Sequence, residues 1–223
     1  MAKNFAKQNP QQLLKISGKT TFVEVLNTFF GINKLGLTFA KYDDKKPEGE
    51  RMTDNITIFM SFDKALLLSK DILSGKIAGL AQKEKAKGET YPQSIYTEMG
   101  GTSAATLERK GKARPDGKSE SRQFKIHPGA KAPFMLVAER GAGEENQTGL
   151  IVPKKVETKV MVPCSADDLK TLAVVIESHI NAYRASKYVD GALMENPYFK
   201  ENNPTPSNEE LKKQVMALLQ QMK

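Results

Sequence analysis

The chain has 223 residues, with 34 lysines and arginines against 26 aspartates and glutamates, so its formal net charge is +8 and its isoelectric point is about 9.4. The single cysteine, Cys164, excludes an internal disulfide, and with two histidines the chain cannot build a Cys₄ or Cys₂His₂ metal site. No apolar run approaches the ~20 residues that cross a bilayer, and the N-terminus lacks the apolar core of a signal peptide. We therefore expect a cytoplasmic protein that attracts polyanions and has no membrane partner.

The first third of the chain is predicted to form strands that lead into a helix. Residues 1–19 are polar and are expected to be flexible, whereas residues 20–30 are apolar and fit either a short helix or a strand. Alternating apolar residues predict strands at 35–42 and 55–62. From Asp63, a common N-cap residue, apolar residues follow helical spacing until the chain becomes polar.

The segment 83–122 is rich in lysine, glycine and serine and is predicted to be a flexible basic linker. Most of a basic cluster lies in it, and this cluster extends to residue 125 with seven cations against two acids, a net charge of +5. Such clusters bind phosphates because the cations displace condensed counterions. The candidate nucleic-acid-binding cations of this cluster are Arg109, Lys110, Lys112, Arg114, Lys118, Arg122 and Lys125.

Strand patterns return at 123–127, 132–140 and 156–162, and a turn at 141–149 indicates a hairpin. A capping box is indicated by Ser165 and the acid three residues later, with a long helix after it. The apolar stripe of that helix consists of Leu169, Leu172, Ala173, Ile176, Ile180 and Tyr183.

An order of several strands followed by one helix thus occurs twice, at about 20–82 and 123–188, which indicates a duplicated unit. Strand-then-helix order is also common in α+β proteins that contain no duplication. In both cases we predict an α+β fold for residues 20–188, built of antiparallel multi-strand units that each end in a long helix, and we assign nucleic-acid binding to this domain.

The end of the chain has a different composition. Residues 189–207 are rich in proline and asparagine and are predicted to be a linker. Residues 208–223 are predicted to form a helix with one apolar stripe, which must be buried against its own domain, another subunit or a partner protein.

No catalytic constellation is visible in the sequence, so we expect a protein that is not an enzyme and uses no cofactor or metal. His127 and His179 are interpreted as surface or packing residues, and Cys164 has no evident base beside it. No phosphate-binding loop or dinucleotide fingerprint is present.

Proteins that bind single strands combine cations with surfaces on which bases stack. Tyr42 and Phe59 are the candidate stacking residues, because each is predicted to point away from the apolar face of its strand. The first hypothesis is therefore a single-stranded-DNA-binding protein. An RNA-binding module on the same surface remains open, as does a structural or adaptor protein that acts through residues 208–223.

The two strand-and-helix blocks, together with Lys110, Gly111, Lys112 and Ala113, resemble the PC4-like or Whirly-type superfamily of single-stranded-DNA-binding proteins, which includes members from phages and mobile elements. The resemblance covers about residues 20–188. It implies two antiparallel sheets packed on paired helices, binding that is largely independent of sequence, and homo-oligomers. It also implies a role in DNA replication, recombination, transfer or transcription. The resemblance adds Lys125, His127, Lys155 and Lys159 as candidates for phosphate contact, on the polar sides of their strands.

Overall fold

The computed structural model describes residues 9–90 and 92–189. The predicted helix 208–223 and, apart from its first residue, the predicted linker 189–207 lie outside these residues. Among the described residues, those up to Ala182 belong to one compact unit and residues 183–189 to another. The described elements are β1 (Gln12–Ser17), β2 (Thr21–Leu26), β3 (Lys34–Tyr42), β4 (Met52–Ser61), α1 (Phe62–Leu73), α2 (Lys76–Ala86), β5 (Tyr96–Thr102), α3 (Ala104–Arg109), β6 (Ser119–Pro128), β7 (Phe134–Glu145), β8 (Ile151–Cys164) and α4 (Ala166–Val189).

The α+β class is confirmed, since two four-stranded antiparallel sheets are each followed by helix. Sheet A has the order β1-β2-β3-β4, and sheet B has the order β5-β6-β7-β8. The ambiguous segment 20–30 forms strand β2 followed by a short 3-10 turn at Phe30–Ile32. Each unit begins earlier than the sequence indicated, the first at β1 and the second at β5.

Sheet A includes residues that were expected to be flexible. Within 1–19, Ile16 of β1 pairs with Val23 of β2 and is buried, so the expectation of flexibility is wrong for β1. The strands predicted at 35–42 and 55–62 are confirmed in their alternation, because Leu37 faces Ile58 across the β3–β4 pair and both are buried.

The prediction that 83–122 is a linker is wrong, because this segment contains β5, α3 and the start of β6. Ser103 caps α3 by accepting a hydrogen bond from the Thr106 amide. Strand β5 was missed because its glycines and threonines give no apolar alternation. The single helix expected from Asp63 is two helices separated at Gly75, whose φ of 80° lies in the left-handed region that favours glycine.

The core lies where the apolar faces of the two sheets meet. Phe39 of sheet A and Phe124 of sheet B have ring centroids 5.8 Å apart, and both side chains are fully buried. Helix α4 begins with the predicted capping box, in which the Asp168 amide donates to Ser165 Oγ at 3.0 Å. The predicted stripe of α4 is buried at Leu169, Leu172, Ala173, Ile176 and Ile180.

Strand β4, at the edge of sheet A, is covered by two arginines of sheet B. Arg122 donates to the Thr57 carbonyl and Arg140 to the Asn55 carbonyl, each at 3.3 Å. Arg122 and Arg140 are cross-strand neighbours on β6 and β7. The sheet pair is therefore joined by hydrogen bonds at this edge as well as by its apolar core.

Candidate nucleic-acid interface

The face of sheet B that is turned away from Phe124, here called the outer face, holds two of the predicted phosphate-binding lysines. Lys125 Nζ lies 2.6 Å from Glu139 Oε2, and Lys159 Nζ lies 3.1 Å from Glu139 Oε1. Glu139 is only 7% exposed. Because two cations share one carboxylate, a net positive charge remains on this face. We call Lys125, Glu139 and Lys159 together the Glu139 clamp.

The Glu139 carboxyl stays ionised in the clamp. Burial alone would raise its pKa, but hydrogen bonds and charges from Lys125 and Lys159 outweigh burial and hold the pKa below its ordinary value. The register explains why the three residues meet: Gln123, Glu139 and Lys159 face one another across β6, β7 and β8, and Lys125 is two residues from Gln123 on the same side.

A groove with a volume of about 1060 Å³ lies beside the clamp, between the outer face and the chain that follows α2. Among the described residues, three lysines and one glutamate line it, so the charged part of its lining is positive. Its apolar part includes exposed methionine and proline side chains. The groove is lined by, among others, Lys85, Lys131, Lys159, Glu89, Met135, Met161 and Pro163.

His127 also lines the groove, next to the clamp. Burial, reinforced by the charges of Lys159 and Lys125, holds its pKa below the ordinary value against an opposing hydrogen bond to the Pro92 backbone. Its Nε2 is buried and has no hydrogen-bond partner among the described residues. His127 is therefore neutral near pH 7 and contributes no cation there.

The predicted basic cluster is a structured turn rather than a mobile chain. Arg114 is fixed by two carboxylates, Asp116 at 2.9 Å and Glu157 at 2.8 Å. Lys118 pairs with Glu144 at 3.5 Å, a weak contact between exposed groups. Of the remaining cluster, Arg109, Lys110 and Lys112 form no ion pair within the described residues, and all three are exposed.

The predicted residues Phe59 and Arg122 meet away from the outer face, at a smaller cleft between β4 and β5. The guanidinium carbon of Arg122 lies 5.8 Å from the Phe59 ring centroid. Phe59 is 42% exposed, whereas its strand neighbours Ile58 and Met60 are buried. The expectation that Phe59 points away from the apolar face is confirmed.

The other two predicted residues lie apart from both places. Tyr42 donates a hydrogen bond of 2.6 Å to the Lys19 carbonyl, and its ring packs against Phe22 at 5.9 Å. Its polar end thus fastens the β1–β2 turn, and its role as a stacking residue stays a prediction. Lys155 is exposed on β8 and forms no ion pair in the described part of the chain.

Sequence reasoning missed Glu139, Lys85 and Lys131. A glutamate inside the apolar strand Phe134–Glu145 is a usable signal, because a buried carboxylate needs cationic partners. Lys85 and Lys131 carry no such signal, since their position beside the outer face depends on contacts between distant segments.

Other classes of site find little support in the residues described. Burial, with the charge of Asp168, raises the pKa of the Cys164 thiol to about 12, so this thiol is unreactive at neutral pH. His179 is exposed on α4. Within 9–90 and 92–189 no three His, Cys, Asp or Glu side chains are grouped to hold a metal ion. None of the described helices combines the length and apolar character needed to span a membrane.

No family model matches the chain, and no curated protein matches its sequence. One solved structure, that of the plant transcriptional regulator PBF-2, is similar over 91% of this chain and 95% of its own, with 10% identity and a TM-score of 0.40. A likeness at that level carries no weight for function.

Proposed function

We propose that this protein binds single-stranded DNA, largely without regard to sequence, along the outer face of sheet B, and that it is not an enzyme. The observation that carries the proposal is the groove beside the Glu139 clamp. It joins cationic side chains to exposed apolar ones, and a single strand presents both phosphates and unstacked bases.

The cations of the groove suit phosphates, because each neutralised phosphate releases counterions to the solvent. Lys85 and Lys131 are exposed and form no ion pair among the described residues, so their full charge is available. Met135, Met161 and Pro163 provide apolar surface for bases. In a duplex the bases stack inside the helix, so this apolar surface favours single strands.

The turn that carries Lys110, Lys112 and Arg114 extends this surface along β8. Glu157, which holds Arg114, is two residues from Lys159, a separation of about 7 Å along a strand. Lys112 lies two residues from Arg114 and is exposed. A strand that leaves the groove past Lys159 would thus meet further cations of the turn.

We also propose that the fold is a PC4-like or Whirly-type arrangement and that the chain forms homo-oligomers. Support for the arrangement comes from its two four-stranded meanders, each followed by helix. Cytoplasmic location and a role in DNA replication, recombination, transfer or transcription complete the proposal.

The test is fluorescence anisotropy with a labelled oligothymidylate across a salt series, with duplex DNA and RNA of equal length in parallel. We expect tight binding to the oligothymidylate, weaker binding to duplex, and steep loss of affinity with salt. Lys85→Gln with Lys131→Gln should lower the salt slope by about 1.4, at about 0.7 for each lost single-strand phosphate contact.

The matched control is Lys45→Gln with Lys46→Gln, which removes the same charge from the exposed β3–β4 turn. Equal losses in the two double variants would mean that only net charge matters, which contradicts a site on the outer face. Tighter binding to RNA than to DNA would instead favour an RNA-binding module. An absence of binding at low salt would rule out the proposal.

A further inference from the structure

The cleft between β4 and β5 is separate from the groove and has a volume of about 350 Å³, the size of a small-ligand pocket. Phe59 and Met99 give it exposed apolar surface, and Lys34, Lys64 and Arg122 give it positive charge. Lys64 is paired with Glu98 at 2.5 Å, while Lys34 has no ion-pair partner in the described chain.

The Phe59 ring is held in place by Phe29, and the Arg122 guanidinium carbon lies 5.8 Å from its centroid. Phe29 contacts it edge-on, with centroids 4.7 Å apart and planes at 89°. Room for Phe29 exists because the cross-strand neighbour of Phe59 is Gly36, where a Cβ would lie 3.0 Å from the Phe29 ring. The ring is therefore both fixed and exposed, as a stacking platform must be.

Arg122 is fixed beside this ring. Its guanidinium binds Glu120 at 2.6 Å and the Thr57 carbonyl at 3.3 Å. A guanidinium has five N–H donors, and the bonds to Glu120 and Thr57 leave some of them unused. Such a group can donate to a base carbonyl or a phosphate while it lies against an aromatic ring.

Strand β5 borders the cleft with the side chains of Glu98 and Met99 and then with two residues that have no side chain, Gly100 and Gly101. Packing explains Gly101, because a Cβ there would lie 2.3 Å from the Glu120 carbonyl oxygen. Packing does not explain Gly100, where a Cβ would meet only the Arg122 carbonyl oxygen at 3.8 Å. Glycine in a strand weakens it, so an unneeded glycine that opens a cleft points to a ligand.

The cleft and the outer face share an edge. Met99 lines the cleft and belongs to the cross-strand row Met99, Gln123, Glu139 and Lys159, which crosses all four strands of sheet B. Three spacings of about 4.8 Å make this row about 14 Å long. A DNA strand bound at Lys159 can thus cross sheet B within a few nucleotides and reach the cleft.

We propose that the cleft is a subsite for one unpaired nucleobase, stacked on Phe59 and hydrogen-bonded by Arg122, at the end of the strand path across the outer face. This proposal rests on the proposed function. It adds that one base of the bound strand is held in a fixed position, while the others lie on open surface.

The test places 2-aminopurine, whose fluorescence is quenched by stacking, at successive positions of an oligothymidylate bound to the full chain. We expect one position to respond differently from its neighbours. Phe59→Leu should abolish that response and weaken binding about tenfold, the scale of one base–aromatic contact. Gly100→Val, which narrows the cleft in a strand where a β-branched residue is tolerated, should do the same.

The matched control is Leu67→Ala, which shortens an exposed apolar side chain on α1 and should change neither readout. One outcome separates the two proposals. If the Lys85→Gln, Lys131→Gln variant weakens oligonucleotide binding, but Phe59→Leu and Gly100→Val change neither readout, the proposed function stands and the proposed subsite is wrong. If the oligonucleotide does not bind at all, both proposals fall.

Discussion

Sheets A and B have the same meander order but differ in how they balance charge on the face turned away from the core. On sheet A, Lys15 pairs one-to-one with Glu24 at 3.6 Å, and the hydroxyl groups of Thr38 and Thr57 lie 3.0 Å apart. On sheet B, one carboxylate holds two lysines, and further lysines lie nearby. The same backbone plan therefore gives one balanced face and one with spare positive charge.

The largest expected effect concerns the Glu139 clamp. Lys125→Met with Lys159→Met leaves a buried carboxylate without a cation, which should cost about 3 kcal/mol of unfolding free energy. On sheet A, Lys15→Met should cost less than about 1 kcal/mol, because its pair with Glu24 is more exposed. Urea unfolding of the two variants measures the difference. Equal costs would mean that Glu139 is better solvated than its burial indicates.

An intermediate effect is expected from pH. The pKa of His127 is lowered in the folded state. Below about pH 6.5, His127 therefore binds a proton more readily in the unfolded chain than in the folded chain. Stability should therefore fall as pH drops from 7.5 towards 5.5, by at most about 1.4 kcal/mol per pH unit for one proton. Thermal unfolding of the protein and of His127→Gln across this range gives the measurement. A loss of the same size in both would exclude His127 as its source.

The smallest effect is expected at Tyr42 on sheet A. Tyr42→Phe removes the hydrogen bond to the Lys19 carbonyl and should cost about 1 kcal/mol of stability. Affinity for oligothymidylate should not change, because the hydroxyl that is removed binds the Lys19 carbonyl and not a ligand. Chemical unfolding and anisotropy titration of this variant check the two statements. Weaker DNA binding in a variant of normal stability would mean that the Tyr42 hydroxyl contacts the DNA.

Much of the fold follows from local patterns, and the parts that were missed lack them. Alternation gives β3 and β4, and Ser165 with Asp168 marks the start of α4. Strand β5 is invisible because Gly100 and Gly101 remove its alternation, and it is held by its pairing with β6. The break at Gly75 is hidden because the apolar spacing continues on both sides of it.

The site was predictable in its residue types more than in its arrangement. The sequence predicts Lys125 and Lys159 because they lie on the polar sides of strands, and the register brings both to Glu139. The pairing of β7 with β8 shifts near Gly141, and no local sequence pattern predicts this shift. The charge of Arg114 predicts a phosphate contact, but in the fold Arg114 is paired with Glu157, which lies 43 residues away in sequence.

The two arginines that cover β4 affect the tendency of the chain to aggregate. An exposed strand edge is a template on which another polypeptide can add a strand, and long flat edges of this kind promote aggregation. Arg122 and Arg140 occupy carbonyls on this edge and bring positive charge to it. Sheet B thus protects the edge of sheet A from pairing with another chain. A fragment that contains sheet A alone would lose this protection and would self-associate more readily.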